Sequence, residues 1–600
     1  MNELLPARLA ALREHMRARG VAAVLVPTAD PHSSEYLPER WRARAWLSGF
    51  TGSAGTLLVG RDFAGLWTDF RYFSQAEQEL AGSGIELRKL RVQNQPEYLD
   101  WLRENLRAHD VLAVAGDSVT VAARRQIEQT LAGAGATLRT DLDLPAAVWT
   151  DRPGLPAAPV VEHAPAYACV SRREKFARLR EAMAAQGATH HLISSLDDVA
   201  WLLNLRGGDV ECNPVFLAHL LVERDGRSTL FVDRSKLASG VVASLAADGI
   251  ALADYEALGG ALGVLGPKDA LLYDPARVAG SVAGAIHSAV RLVEAANPTT
   301  AFKAVKTAAE LAHIRETMRL DGAALARAFR RIEQRLAEGR ETSELTVDAL
   351  LREERSRQRG WIGESFATIA GYQANGALPH YRATPQAHSM LRPEGLLLID
   401  SGGQYLGGTT DVTRVLALGA TTAEQRRDST LVLKGMIGLS RARFPKGASG
   451  PQVDALARAP LWAEGMDYGH GTGHGVGYFL NVHEGPHGIR PPAAGGALVP
   501  LEPGMISSIE PGLYRPGRHG IRHENLAVVV DAGRTEFGDF LAFETLTLCP
   551  FDRRSFEPTL LDAQERAWVD RYHAAVRAEV GPLLEGADRE WLERQCAALQ

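Results

Sequence analysis

Apolar residues in Leu9–Gly20 (LAALREHMRARG) recur at the spacing of one helical face and stop at a glycine, and the run VAAVLVPT behind it predicts a buried strand. The same order returns at Phe176–Gly187 (FARLREAMAAQG), ahead of ATHHLISS. The two segments superpose at Leu12/Leu179, Arg13/Arg180, Glu14/Glu181, Met16/Met183 and Gly20/Gly187, a constant offset of 167 residues. Self-similarity at a fixed offset marks a repeated structural unit. Residues 1–150 and 160–300 are therefore expected to be two similar α/β domains, each with a tryptophan segment, AWLSGFTGSAG around Trp46 and AWLLNLRGGD around Trp201. Between them DRPGLPAAPVVEHAP, residues 151–165, carries four prolines and reads as a semi-rigid linker.

From residue 301 the pattern changes. KAVKTAAELAHIRETMRLDGAAL predicts a long amphipathic helix whose start is marked by the Thr307/Glu310 capping-box spacing, and TSELTVDALLREERSRQ predicts a second. GESFATIAGYQANGALPHY then reads as strand, loop and strand, delivering His380. Three later apolar runs end or begin at a carboxylate. Leu396–Ile399 closes on Asp400, Met505–Ile509 on Glu510, and Leu526–Val530 follows Glu524. A carboxylate at the end of a buried strand needs a cation. This block, 301–545, is the expected catalytic domain, and a helical extension occupies 546–600.

Composition narrows the class. Six hundred residues exceed what one core sustains. A net charge of −6 argues against a nucleic-acid surface. Cys169, Cys212, Cys549 and Cys596 are far apart and form no CxxC, which indicates neither a disulfide framework nor a zinc knuckle. MNELLPARLAALREHMRARG has no apolar core or cleavage site of a signal peptide, and no uncharged apolar run is long enough to span a bilayer. The expectation is a cytoplasmic enzyme without membrane or nucleic-acid partners.

The candidate chemistry lies between Asp400 and Glu524. Asp400, Asp411, His474, Glu510 and Glu524 supply four carboxylates and one imidazole. Any one acidic residue is most often a solvated surface charge, but the apolar flanks set these apart, and six of the eighteen histidines fall in the same region. Four carboxylates overcompensate one divalent ion and balance two. Oxygen-rich donors with a single imidazole suit Mn(II), Fe(II), Co(II) or Zn(II), and lean to Mn(II). Two motifs are decoys. His483–His487 (HEGPH) is formally HExxH, but Gly485 and Pro486 disfavour the helix that motif needs, so it reads as a loop with His483 alone aimed at substrate. GHGTGHGVG has neither GxGxxG spacing nor GK[ST] and should hold no phosphate. By spacing alone His380 is a core histidine, Gly52, Gly55, Gly207 and Gly208 are turn formers, and Asp209 and Glu211 fix a loop.

DSGGQYLGGTTDVTR, HGTGHGVGYFLNVHEGP, SIEPGLY and GIRHEN together resemble the aminopeptidase P (Xaa-Pro aminopeptidase) branch of the pita-bread metallopeptidases, in its long three-domain form. SEYLPERWRARAWLSGFTGSAGT, LWTDFRYF and NLRGGDVECNPVF resemble that form's two N-terminal domains. The resemblance implies two creatinase-N-like α/β domains, a pita-bread catalytic domain and a C-terminal extension serving packing or dimerisation. It implies that Asp400 holds one metal, that His474 and Glu510 hold the other, and that Asp411 and Glu524 bridge them, with a hydroxide between the ions as nucleophile. It also implies that His380 and His483 steady the reacting carbonyl and that Glu510 shuttles the proton. Resemblance and chemistry together give His470 and Tyr514 a proline-shaped pocket, Arg522 the orientation of Glu524 or substrate, and Arg71 a reach toward the site's mouth. The implied substrates are peptides beginning Xaa-Pro, cleaved by a homodimer. Prolidase is the nearest rival. Methionine aminopeptidase lacks the N-terminal repeat, and a metal-free pita-bread binding module or creatinase-like amidinohydrolase would not keep all five ligands.

Overall fold

In the computed structural model, which describes residues 4–92, 95–492 and 498–599, the chain forms two compact units. One comprises Met1–His163 with Val170–Thr300, the other Ala164–Cys169 with Ala301–Gln600.

The first unit contains the repeat. Helix α1 (Leu5–Ala18) buries Leu5, Leu9, Leu12 and Met16 and leads into β1 (Ala23–Pro27). Strands β2 (Thr56–Gly60), β3 (Ala64–Thr68), β4 (Glu86–Lys89), β5 (Val111–Ala113) and β6 (Thr137–Arg139) complete a sheet ordered β4-β3-β2-β1-β5-β6. Helix α2 (Arg172–Ala185), started by a Ser171/Glu174 capping box, leads likewise into β7 (His190–Ile193). Strands β8 (Ala218–Glu223), β9 (Ser228–Val232), β10 (Ile250–Ala253), β11 (Ala270–Tyr273) and β12 (Arg291–Glu294) give the order β10-β9-β8-β7-β11-β12. Parallel and antiparallel pairings match one for one: β1–β2 and β7–β8 are antiparallel, β1–β5 and β7–β11 parallel. Asp209 fixes its loop as a buried partner of Lys236 (2.5 Å) and acceptor of the Leu217 N–H (2.7 Å). The proline-rich segment is pinned more firmly than a spacer: Val160 N–H donates to Lys236 O, Val161–Glu162 pairs with Leu205–Arg206, and His163 N–H donates to Asn204 O.

In the second unit α3 (Ala308–Ala337) begins at the Thr307/Glu310 capping box, and α4 (Glu344–Ser356) begins at Ser343. Strands β13 (Ile369–Tyr372), β14 (Leu396–Ser401) and β15 (Val412–Ala417) form one antiparallel sheet with β14 central, followed by α5 (Ala423–Ser440). After β16 (Arg443–Pro445) and α6 (Gly450–Trp462) come β17 (Gly473–Gly475), β18 (Glu484–Ile489), β19 (Ile506–Ile509), the hairpin β20 (Gly512–Arg515)–β21 (His519–Arg522), β22 (Asn525–Thr535) and β23 (Gly538–Thr545). A six-stranded sheet runs β16-β23-β22-β19-β17-β18. The C-terminal helices α7 (Ala563–Val580) and α8 (Gly586–Gln595) place Val569, Tyr572, Val576 and Trp591 in the same apolar core as β14 and β22.

Buried neutral histidines give the fold a defined acid response. His191 in the first unit and His573 in the second are held neutral by burial, their titration lowered from 6.5 to about 4 and about 3. The unfolded chain binds protons that the folded chain refuses, so this stability is complete above the unfolded value and lost as pH falls toward the folded one. His191→Gln is expected to lessen the acid-induced loss by roughly 2 kcal/mol between about pH 6.5 and about pH 5. Urea midpoints at the two pH values measure it, and equal pH slopes for variant and wild type would refute the assignment.

Candidate metal centre and active site

Two sheets deliver the acidic residues. Asp400 is the penultimate residue of β14 and faces Thr413 across the β14–β15 ladder, and Asp411 immediately precedes β15. Ile509 pairs with Asn525 in the antiparallel β19–β22 ladder, so Glu510, just after β19, and Glu524, just before β22, leave the same end of that pair. His474 lies on β17, its N–H bonded to Ser508 Oγ (2.9 Å). The glycines beside it serve backbone approach, since a Cβ at Gly473 would strike the carbonyl of Ser508 and one at Gly475 that of Glu484.

Donor atoms of Asp411, His474 and Glu524 lie within 4.8 Å of one another. His474 Nε2 is 3.4 Å from Asp411 Oδ2 and 3.5 Å from Glu510 Oε1, which also accepts from Ser508 Oγ (3.3 Å). Asp400 Oδ2 is bound by Arg522 Nη2. Thr413 Oγ1 donates to Glu524 Oε2 (2.8 Å) and accepts from Arg522 Nε (3.2 Å). Asp400 Oδ1 and Glu524 Oε1 are buried with no hydrogen-bond partner.

The electrostatics describe a site short of positive charge. Burial raises Asp400 to about 6; Arg522 opposes the shift and Asp411 adds to it. Burial, then the neighbouring Asp411, also raises Glu510 and Glu524. Burial alone would lower His474, but its bond to Asp411 and the charge of Glu510 outweigh that and raise it to about 9. Crowded buried carboxylates with unsatisfied oxygens beside one imidazole are the donor set of a site for divalent cations. The residues fit such ions, which would complete the orphaned oxygens.

The remaining candidates divide. His483 sits against His474 with ring centroids 4.3 Å apart, edge to face. His470 Nε2 is 2.8 Å from the Tyr514 hydroxyl, which accepts from Arg522 Nη1 (2.7 Å), so these three join the cluster through Asp400. His380 follows a 3-10 turn, Gln373–Ala377, instead of closing a strand, and Arg522 Nη2 reaches the carbonyl of Pro379 beside it (3.4 Å). Arg71 belongs to the first unit, where Asp69 holds it through two hydrogen bonds of 2.8 Å.

One expectation needs correction. HEGPH is neither helix nor loop: from Glu484 it forms edge strand β18 beside β17, where a proline lacking its N–H is tolerated. Arg522 bonds directly to Asp400 and Tyr514 and reaches Glu524 through Thr413. Thr413 went unnoticed in the sequence, although it lies two residues beyond Asp411, the spacing at which extended chain turns side chains to the same side.

The chain matches four family models: Creatinase/Prolidase N-terminal domain at residues 8–143 and 151–310, Metallopeptidase family M24 at 312–531, and the C-terminal region of peptidase_M24 at 539–599. It is 39% identical to a probable Xaa-Pro aminopeptidase P of Laccaria bicolor, over 99% of this chain and 93% of the relative. Against that of Neurospora crassa it is also 39% identical, over 98% and 88%. An X-prolyl aminopeptidase structure from Caenorhabditis elegans, described as a cytosolic enzyme with a di-nuclear active site, superposes with a TM-score of 0.93 at 31% identity and covers 99% of each chain. Among the described residues no helix is long and apolar enough to cross a membrane.

Proposed function

Because the chain belongs to the Xaa-Pro aminopeptidase P family of the M24 metallopeptidases, we propose that it releases the N-terminal residue from peptides with proline in second position. The observation that carries this reading is the convergence of Asp411, His474 and Glu524 within 4.8 Å, with Glu510 3.5 Å from His474 and buried, partnerless oxygens on Asp400 and Glu524, in a chain that matches such a relative over 99% of its length. These five residues would hold two divalent ions, with Mn(II) the choice of the oxygen-rich donor set over Zn(II), Co(II) or Fe(II). When bound, the ions supply Lewis acidity and an activated water near neutral pH.

The chain's own residues do the rest. His483 and His380 donate to the oxygen of the reacting carbonyl, where charge develops. Glu510, whose proton affinity burial raises, carries the proton to the leaving prolyl nitrogen. That nitrogen belongs to a tertiary amide without N–H, so selection rests on shape. His470 and Tyr514, fixed to each other and to Arg522, form its wall. Arg71 is a further candidate for substrate contact. We also propose a cytoplasmic homodimer, and domains at 1–150, 160–300, 301–545 and 546–600.

The test is a substrate panel with Mn(II) present. Xaa-Pro-Yaa should lose its first residue, and Xaa-Ala-Yaa should react roughly 10- to 200-fold less efficiently, the range that shape alone provides. Cleavage of the dipeptide Xaa-Pro alone would make the protein a prolidase. Silence of a metal-loaded chain on all three would favour a binding module.

A further inference from the structure

The C-terminal helices meet the candidate metal centre through one buried cation. Along β15, alternate side chains face opposite ways. Thr413 reaches Glu524 and Arg522, and Arg414, fully buried, turns away from them. Arg414 Nη1 donates to the carbonyls of Thr413 (2.8 Å) and Glu524 (2.6 Å). Its Nη2 donates to Asn525 Oδ1 (2.7 Å), Cys549 O (2.7 Å) and the hydroxyl of Tyr572 (2.8 Å), and Nε to Cys549 O (3.2 Å) and Pro550 O (3.3 Å). The guanidinium carbon lies 4.1 Å from the Phe551 ring centroid. Every acceptor is an uncharged oxygen, so no carboxylate explains why a guanidinium is buried here.

Its geometry does explain it. One planar fork joins the backbone of β15, the residue that opens onto β22, and the segment entering the C-terminal extension. Tyr572, on α7, completes the far side. Its hydroxyl receives Arg414 and the N–H of Cys549 (3.2 Å) and gives its proton toward the carbonyls of Thr547 (2.9 Å) and Cys549 (2.8 Å). Burial keeps that phenol protonated, pushing it up to about 12. Glu524 depends on this assembly. Its N–H donates to Thr413 O (3.2 Å), its carbonyl accepts from Arg414, one carboxylate oxygen accepts from Thr413 Oγ1, and the other is the buried oxygen left for a cation.

We propose that the C-terminal extension is a strut for the metal centre, with Tyr572 and Arg414 acting as positioning residues that set the place of Glu524 and Thr413. The inference rests on the metallopeptidase reading above. It predicts that loosening the strut weakens metal binding out of proportion to any loss of fold.

Three variants of the full chain separate this from plain packing. Tyr572→Phe removes one hydroxyl and keeps the ring stacked on Trp568, 5.4 Å away. Arg414→Lys keeps the charge and loses the fork. Trp591→Phe, the control, removes a hydrogen bond from α8 to Glu333 (2.7 Å) that involves neither Arg414 nor Tyr572. Competition with a chelating dye gives Mn(II) affinity, peptide hydrolysis gives kcat and KM, and thermal melts report folding. Tyr572→Phe and Arg414→Lys should weaken Mn(II) binding about 10- to 100-fold, with kcat falling at limiting metal, KM for peptide nearly unchanged, and activity of Tyr572→Phe restored by excess Mn(II). Trp591→Phe should bind Mn(II) as the wild type does. If Arg414→Lys does not fold, Tyr572→Phe decides alone. Wild-type affinity in Tyr572→Phe, or metal loss in all three variants that only follows their melting temperatures, would overturn the strut. A wild-type chain that binds no divalent ion would overturn the metallopeptidase reading and the strut with it.

Discussion

Asp411→Asn should leave a folded protein that no longer retains its metal and whose peptidase activity falls by roughly 10³-fold or more. Asp411 stands 3.4 Å from His474 Nε2 and shares a 4.8 Å donor cluster with His474 and Glu524. The substitution keeps size and polarity but removes one negative charge and one anionic donor. Lewis-acid activation supplies several kcal/mol of transition-state stabilisation, and each 1.36 kcal/mol is a factor of ten, which sets the scale. Removing a carboxylate also relieves repulsion in the metal-free site, where burial and then Asp411 raise Glu524. The same change forfeits the bond that raises His474, so the two effects oppose and the chelated variant should melt close to the chelated wild type. Elemental analysis, peptide hydrolysis and thermal melts test the three statements separately. A variant with full metal content and full turnover would remove Asp411 from the centre.

His483→Ala should do the opposite to metal and nearly the same to rate. The ring is half-buried, meets His474 edge to face, and stands just before β18. It lies beside the donor cluster, against His474, and is proposed to serve the carbonyl rather than a metal. Loss of a preorganised donor to a developing oxyanion costs about 10²–10³ in kcat. Metal stoichiometry should stay at the wild-type value, and KM should move much less than kcat. Unchanged kcat would end the proposed role. Metal loss matching the rate loss would recast His483 as a support for His474.

Much of this arrangement was legible in the chain. The offset of 167 residues between Leu12–Gly20 and Leu179–Gly187 exposed the repeat, because one fold built twice imposes one hydrophobic pattern twice. Asp400, Glu510 and Glu524 stood out because a charged residue against a buried strand needs a partner, and the strands β14, β19 and β22 are where the apolar runs predicted them. What escaped were relations between residues distant in sequence. The sequence sets Arg522 beside Glu524, two residues away, and gives no sign of Asp400, 122 residues back, whose carboxylate it binds. HEGPH looked like a loop because Gly485 and Pro486 disfavour a helix, and only sheet order reveals the edge strand β18. The Arg414–Tyr572 link spans 158 residues and joins two elements that no local pattern connects.

The most direct measurement is a titration of chelated protein with Mn(II), following release of Xaa from Xaa-Pro-Yaa while bound metal is counted. The expected result is negligible activity in the chelated chain and full activity when two ions per chain are bound. Full activity without metal, or a chain that binds two ions and stays inactive, would contradict the assignment of this acidic cluster as the working centre of a peptidase.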